Sequence, residues 1–198
     1  MLDLNKCTGC KACEAWCRRE NKLPKRIFRI RVIPFEPTGP FSYDPSKKEI
    51  DKRWGLRPSD CGKGKMLYVP MQCFHCGKAP CIPSCPVGAI TRRDDGIVYI
   101  VVEKCIGCKL CIEACPFGAI QYDDERGKAD KCHFCMHLID QGKKPACVAG
   151  CRFDVFDFGT LDELSDIIQK EKITLFGIIP ELEYIEPTVF YWFSKEQK

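Results

Sequence analysis

The fold of this chain is decided by one stretch, which reads Cys105-Ile106-Gly107-Cys108-Lys109-Leu110-Cys111-Ile112-Glu113-Ala114-Cys115-Pro116. Three cysteines stand at every third position, and a fourth follows after three further residues and precedes a proline. A loop with this spacing can wrap three corners of a cubane core while its backbone N–H groups point at the core. The fourth cysteine, held by the proline, reaches to a second core in paired [4Fe-4S] sites. The stretch therefore predicts one half of a two-cluster module.

Cysteines with related spacing recur in four groups, and each group ends in a pair separated by three residues. The groups are Cys7, Cys10, Cys13 and Cys17; Cys73, Cys76, Cys81 and Cys85; Cys105, Cys108, Cys111 and Cys115; and Cys132, Cys135, Cys147 and Cys151. The second and third groups continue alike, as Cys85-Pro86-Val87-Gly88-Ala89-Ile90 and Cys115-Pro116-Phe117-Gly118-Ala119-Ile120. This internal duplication makes the cysteine groups the repeat that organises the chain.

When the last cysteine of each group binds the cluster of a partner group, every cluster obtains its fourth ligand. The second group pairs with the third in this way, and the first group pairs with the fourth. The sequence then predicts four ligand sets: Cys7, Cys10, Cys13 and Cys151 for cluster one; Cys17, Cys132, Cys135 and Cys147 for cluster two; Cys73, Cys76, Cys81 and Cys115 for cluster three; and Cys85, Cys105, Cys108 and Cys111 for cluster four. The expected cofactors are four [4Fe-4S] clusters, with these cysteines as the iron ligands.

Other uses of the thiols fit the cysteine spacing less well. Zinc sites also use C-x-x-C pairs, but three cysteines within seven residues followed by C-x3-C supply more thiolates than one side of a tetrahedral ion can use. The fourth group, with eleven residues between Cys135 and Cys147, fits this argument less closely. Disulfides at this spacing would be strained or redox-active. A [3Fe-4S] cluster would need a replaced ligand, whereas every group is complete. Cys61 belongs to no group and reads as a free thiol. His75 and His133 lie inside C-x-x-C loops, where packing and a hydrogen bond to sulfur are equally open roles.

Composition excludes several classes of protein. The chain has 198 residues, 17 of them cysteine, and a net charge of +4 whose basic residues are spread out, so we expect no nucleic-acid partner. No apolar run is long enough to span a bilayer. Residues 1–6 contain no apolar segment of the kind that directs secretion. We therefore expect a cytoplasmic protein without a direct membrane span. Association with a membrane through partners and export together with a partner both stay open.

The expected fold is α+β, with short hairpins and short helices around the cluster loops of two modules similar to bacterial ferredoxins. An outer module is expected from residues 1–23 plus 123–158, an inner module from 66–122, a loop-rich insertion from 24–65 and a docking extension from 159–198. Strands are predicted at 28–35, 96–102 and 153–158, and a helix at 162–172 with Leu161, Leu164, Ile167 and Ile168 on one face.

Four such groups in this order resemble the four-cluster iron-sulfur subunits of molybdenum and tungsten oxidoreductases. The resemblance covers about residues 1–158 and is carried by Cys73-Phe74-His75-Cys76, the repeat after Cys85 and the run from Cys105 to Cys111. Dimethyl sulfoxide, polysulfide and nitrate reductases, formate dehydrogenases and tungsten aldehyde oxidoreductases contain such subunits. The resemblance implies a relay of single electrons between a pterin-bound molybdenum or tungsten catalytic subunit and a further redox subunit or ferredoxin-like carrier.

Two other functions compete with this interpretation. The protein could be a freestanding polyferredoxin or a hydrogenase-linked electron carrier, which would purify as a monomer, or a zinc-binding interaction module, which would be colourless. The relay interpretation is favoured by the insertion and by the aromatic end, Phe190-Tyr191-Trp192-Phe193, which suit docking to partners. No nucleophile and base, phosphate loop or carboxylate pair stands out, so no catalytic residues are predicted in this chain.

Overall fold

The computed structural model describes residues 1–35, 66–171, 175–176 and 184–192. The helices in these ranges are α1 (Ala12–Glu20), α2 (Leu110–Ala114), α3 (Met136–Ile139), α4 (Ala146–Ala149) and α5 (Leu161–Glu171). The strands are β1 (Leu2–Asp3), β2 (Ile30–Phe35), β3 (Leu67–Gln72), β4 (Ile90–Arg92), β5 (Val98–Ile100), β6 (Ile120–Asp123), β7 (Lys128–Lys131), β8 (Leu175–Phe176) and β9 (Tyr191–Trp192). Short elements joined by long loops fit the α+β class.

Antiparallel strand pairs separate the cysteine loops. Strand β2 pairs with β3, β4 with β5, and β6 with β7, while β1 pairs in parallel with β9, which also pairs with β8. The predicted strand 96–102 contains β5, which forms a hairpin with β4 across the Asp94-Asp95-Gly96 turn, where Gly96 adopts a φ of 87°. Strand β2 lies within the predicted strand 28–35. Both strand predictions are confirmed.

One predicted strand is wrong. Residues 153–158 form no strand, and the structure has only an isolated bridge there between Leu2 and Phe156. Alternation of aromatic and acidic residues suited a half-buried strand, but Asp154 adopts a left-handed φ of 48°, which bends the chain. Helix α5 confirms the predicted helix within a residue at each end. Its first residue is not on a buried face, because Leu161 is 70% exposed.

The apolar core joins the beginning, middle and end of the chain. Leu4, Val98 and Ile185 are each at most 1% exposed and belong to one cluster of buried side chains. The hydroxyl of Tyr191, near the end of the described chain, donates a hydrogen bond to the backbone oxygen of Pro70 at 3.0 Å. Part of the predicted docking extension therefore completes this chain's own core. The docking role stays a prediction for the remainder.

A second, smaller core packs behind the first cysteine group. Leu23, Ile27, Ile30 and Val32 are buried there together with two thiols of helix α1. Helix α1 also packs against α4, which belongs to the fourth cysteine group. The first and fourth groups, far apart in sequence, are thus brought side by side. Among the described residues, no helix is both long and apolar enough to cross a bilayer.

Candidate iron-sulfur cluster sites

The C-x-x-C segments of the four groups share one backbone feature. The residue before the second cysteine has a positive φ in every group: 73° at Gly9, 43° at His75, 71° at Gly107 and 58° at Phe134. A left-handed residue at this point turns successive N–H groups toward one side, which forms a concave anion site. Glycine adopts this conformation freely, whereas His75 and Phe134 hold it against a steric penalty. Packing must therefore hold these two side chains in place.

The predicted ligands of cluster three surround one cavity. Cys73, Cys76, Cys81 and Cys115 all line it. Burial, with a smaller contribution from the neighbouring thiols of Cys73 and Cys115, raises the pKa of Cys76 to about 12. The rings of Phe74 and Phe117 line the same cavity and stack at 4.0 Å between centroids. The structure thus brings a cysteine of the third group among three of the second and encloses them with apolar rings.

A second cavity is lined by the predicted ligands of cluster four, Cys85, Cys105, Cys108 and Cys111. Burial, with a smaller contribution from the neighbouring Cys105 and Cys108, raises the pKa of Cys111 to about 11. Burial also acts on Cys85, but the backbone N–H groups after it outweigh that effect and lower its pKa. One of them, the N–H of Ala89, donates to Cys85 Sγ at 3.1 Å. The Cys-Pro turn thus supplies donors to the crossing thiol.

The predicted ligands of cluster two, Cys17, Cys132, Cys135 and Cys147, line a larger cavity of about 280 Å³. Burial, with a smaller contribution from the thiol of Cys135, raises the pKa of Cys17 to about 12. Asn21 Nδ2 lies 3.7 Å from the sulfur atoms of both Cys17 and Cys135. One amide therefore ties the crossing cysteine of α1 to the C-x-x-C loop of the fourth group.

The predicted ligands of cluster one are assembled from both ends of the cysteine region. Burial raises the pKa of Cys7, and the thiols of Cys10 and Cys151 raise it further. Burial likewise raises the pKa of Cys13 to about 12, with added effects from Cys7 and Cys151. Cys10 is exposed. A cysteine of the fourth group thus lies among three of the first.

The donor sets fit [4Fe-4S] clusters in number and chemistry. The sixteen predicted ligands are all free cysteines, and each quartet combines three from one group with one from its partner group. In the described part of the chain, no three His, Cys, Asp or Glu side chains converge closely enough to hold a single metal ion. Raised thiol pKa values mean that iron must displace protons when it binds. The individual ligand assignments stay a prediction, and Cys61 lies outside the described residues.

The C-x-x-C loops of the second and fourth groups face each other. The rings of His75 and Phe134 meet edge to face, with centroids 4.8 Å apart. The backbone N–H of Val98 donates to His75 Nδ1 at 3.1 Å, which leaves Nε2 as the nitrogen that carries the proton. Burial lowers the pKa of His75 well below its ordinary value, and burial lowers that of His133 to about 4. Both imidazoles are therefore neutral near pH 7.

Charged residues that sequence reasoning missed lie beside the same loops. Arg29 Nε and Nη2 donate to the two carboxylate oxygens of Asp130 at 2.7 and 2.8 Å, and the side chains are 11% and 9% exposed. Lys131, the next residue, is buried as well. No spacing rule relates Arg29 to a residue 101 positions away. The only sequence signal is that Asp130 and Lys131 directly precede Cys132.

Comparison with known proteins places this arrangement among iron-sulfur proteins. One 4Fe-4S dicluster domain matches residues 64–161 and a second matches residues 6–89. The B component of the anaerobic dimethyl sulfoxide reductase of Escherichia coli is 35% identical, over 82% of this chain and 73% of that protein. The B component of the polysulfide reductase of Wolinella succinogenes is 33% identical, over 85% and 78%. The B component of the tetrathionate reductase of Salmonella typhimurium is 34% identical over 76% of this chain, which spans about half of it (53%). Two dicluster domains account for the predicted cofactors, and the protein carries four [4Fe-4S] clusters.

Proposed function

The protein is a member of the family of 4Fe-4S iron-sulfur subunits of reductase complexes, and we propose that it relays single electrons between a molybdenum- or tungsten-pterin catalytic subunit and a further redox subunit or carrier. In this proposal the electrons pass through clusters one, two, three and four in line. Bound clusters supply the one-electron carriers. The protein holds the clusters in order, keeps water away from clusters two and three, and presents clusters one and four to partners.

The adjacency of the cysteine quartets is the observation that carries the proposal. Along the sequence, Cys17 of the second quartet follows Cys13 of the first after three residues, and Cys85 of the fourth follows Cys81 of the third in the same way. Between the modules, the thiols of Cys132 and Cys73 are neighbours, because Cys73 adds to the effect of burial in raising the pKa of Cys132. Each quartet is thus next to the following one, which supports an unbranched relay.

Exposure of the ligands supports contact with partners at both ends of this relay. Cys10 in the first quartet and Cys108 in the fourth are exposed, whereas the cysteines of the two middle quartets are buried or half-buried. Ile106 and Leu110, on either side of Cys108, are 63% and 50% exposed. Apolar side chains that surround an exposed ligand suit a docking surface. Electrons would enter at one exposed end and leave at the other.

The identity of the partner is drawn from the relatives. The matched proteins are named as components of dimethyl sulfoxide, polysulfide and tetrathionate reductases. We infer a catalytic partner of the pterin-bound metal class for this protein, with either molybdenum or tungsten, and a cytoplasmic location.

Anaerobic purification from the native source, without overexpression, tests this function. The fractions that contain the protein are analysed for iron, molybdenum and tungsten. We expect about sixteen irons per chain, as four four-iron clusters require, together with molybdenum or tungsten in a co-eluting larger subunit. The same iron in a lone chain of 22.6 kDa, free of both metals, would reject the relay-subunit function in favour of a freestanding polyferredoxin.

A further inference from the structure

Lys131 places a buried ammonium group between the two modules. The residue ends strand β7 of the hairpin that leads to the fourth cysteine group, and it is only 3% exposed. Its Nζ donates a hydrogen bond to the backbone oxygen of Val98 in β5 and another, at 2.7 Å, to that of Cys132. Lysine is almost never fully buried unless it is paired. The position therefore needs an explanation.

Protein carboxylates do not supply the missing counter-charge. Within the described part of the chain, no Asp or Glu forms an ion pair with Lys131. The adjacent carboxylate of Asp130 accepts hydrogen bonds from Nε and Nη2 of Arg29. Backbone carbonyl oxygens satisfy two of the three Nζ donors but carry no net charge. A buried cation without an ionic partner is strongly unfavourable, so negative charge must come from another source.

Thiols of two different quartets lie close to this ammonium group. Its acceptor Val98 lines the cavity of the cluster-three quartet together with Cys81, and its other acceptor is the backbone oxygen of Cys132 itself. In agreement with this geometry, Lys131 acts against burial, which raises the pKa of both thiols. Cys81 belongs to the predicted set of cluster three and Cys132 to that of cluster two. The same lysine is thus close to ligands on both sides of the junction between the modules. Thiolates that hold iron would provide the negative charge that the fold otherwise lacks.

We propose that Lys131 is the shared counter-charge of clusters two and three and raises the reduction potential of both. Each cluster gains one electron without a proton on reduction, so its complex with four thiolates becomes more negative by one charge. A fixed cation nearby stabilises that reduced form, and most strongly where water is excluded. The electron comes from the neighbouring cluster in the relay, or from dithionite in a titration. This inference rests on the proposed relay and on the predicted ligand sets.

One residue can act on two clusters only because of how the loops are arranged. The Val98 backbone anchors both facing loops, since its oxygen accepts from Lys131 while its N–H donates to His75. Because one charge acts on both clusters, it raises both potentials in the same direction. Removal of the charge should therefore lower both potentials together.

Redox titration of the purified holoprotein, monitored by electron paramagnetic resonance, tests this role. The variants are Lys131→Met, which removes the charge at nearly constant length, Lys131→Gln, which retains a hydrogen-bond donor, and Lys131→Arg, which retains the charge. Lys170→Met, on the exposed side of helix α5, is the control for loss of one positive charge. Iron content is measured for every variant, and the wild-type protein must first titrate as four one-electron clusters.

For Lys131→Met and Lys131→Gln, two of the four clusters should shift to lower potential. At a fixed applied potential, their ratio of reduced to oxidised form should fall about tenfold, equivalent to ~59 mV for a one-electron couple. Lys131→Arg and Lys170→Met should titrate like the wild type. The proposal is rejected if all four potentials are unchanged, if all four move together, or if both uncharged variants lose iron. Absence of four clusters in the wild type would instead reject the proposed function.

Discussion

Single side chains beside the cysteine loops decide how firmly those loops are held. Arg29 and Asp130 form a buried, two-armed ion pair that joins the segment before β2 to strand β7. Arg29 also reaches Asn21 Oδ1 at 3.1 Å, and the same Asn21 amide approaches two thiols of the second quartet. These contacts run from a charge pair through an amide to the cysteines. The pair therefore supports the cluster-two loop through Asn21.

Asp130→Asn should destabilise the protein strongly. Removal of one partner leaves the Arg29 guanidinium buried without its counter-ion, which costs about 3 kcal/mol for pairs of this kind. In a chain of this length that corresponds to roughly 6–12 °C in the midpoint of thermal unfolding. Anaerobic calorimetry of the iron-loaded protein measures the midpoint.

Asp140→Asn is the matched control for that measurement. Asp140 accepts two hydrogen bonds from Arg93, but its side chain is 52% exposed and water can replace the partner. Its midpoint should stay close to that of the wild type. Equal midpoints for the Asp130 and Asp140 variants would contradict the role given to burial of the Arg29–Asp130 pair.

Cysteine spacing was the most informative part of the sequence at this scale. It predicted the four quartets that the structure brings together, because the crossing rule depends only on spacing within each group. Lys131, Arg29 and Asn21 could not be found in this way. Their roles come from contacts across folded loops, and the residue types alone are ordinary surface types.

At the scale of elements, the third cysteine loop depends on close backbone approach. Gly107, between Cys105 and Cys108, has a φ of 71°, and a methyl group there would overlap the backbone oxygen of Gly127. Backbone cannot move aside as a flexible side chain can. The loop that holds three predicted ligands of cluster four is therefore fitted against the β6–β7 turn.

Gly107→Ala should empty the fourth site. The expected iron content falls from about sixteen to about twelve per chain, because the loop can no longer present its thiolates to one cluster. Iron and acid-labile sulfide analysis of anaerobically purified protein measures the loss.

Gly88→Ala provides the control for backbone strain alone. Gly88 follows Cys85 of the same quartet and has a φ of 59°, but a methyl group there meets no atom within 4 Å. This variant should lose about 1–2 kcal/mol from the strained conformation and keep its iron. Identical iron contents for the two alanine variants would contradict the steric argument at Gly107.

Elements with a local signal were predictable, and those formed by long-range contact were not. The β4–β5 hairpin follows from its Asp-Asp-Gly turn, and α5 follows from its apolar spacing. Strands β1 and β9, two residues each, pair only because the ends of the described chain meet over the core. The predicted strand at 153–158 failed because alternation does not reveal the left-handed conformation of Asp154, which leaves only the single bridge between Leu2 and Phe156.

At the scale of the whole molecule, the chain returns on itself so that its fourth cysteine group completes its first. Helices α1 and α4 pack together, and Cys151 lies beside Cys7. The quartets of clusters three and four come from the middle of the sequence. The facing C-x-x-C loops of the second and fourth groups lie at the junction between the two modules. Both the relay and the shared role of Lys131 depend on this order of quartets.

Iron positions located by anomalous X-ray scattering, from a crystal of the anaerobic iron-loaded protein, test this order of quartets. We expect four clusters in an unbranched row, each held by three cysteines of one group and the last cysteine of its partner group. The second and third clusters should lie on either side of Lys131. Fewer than four clusters, or a cluster held by all four cysteines of a single group, would contradict it.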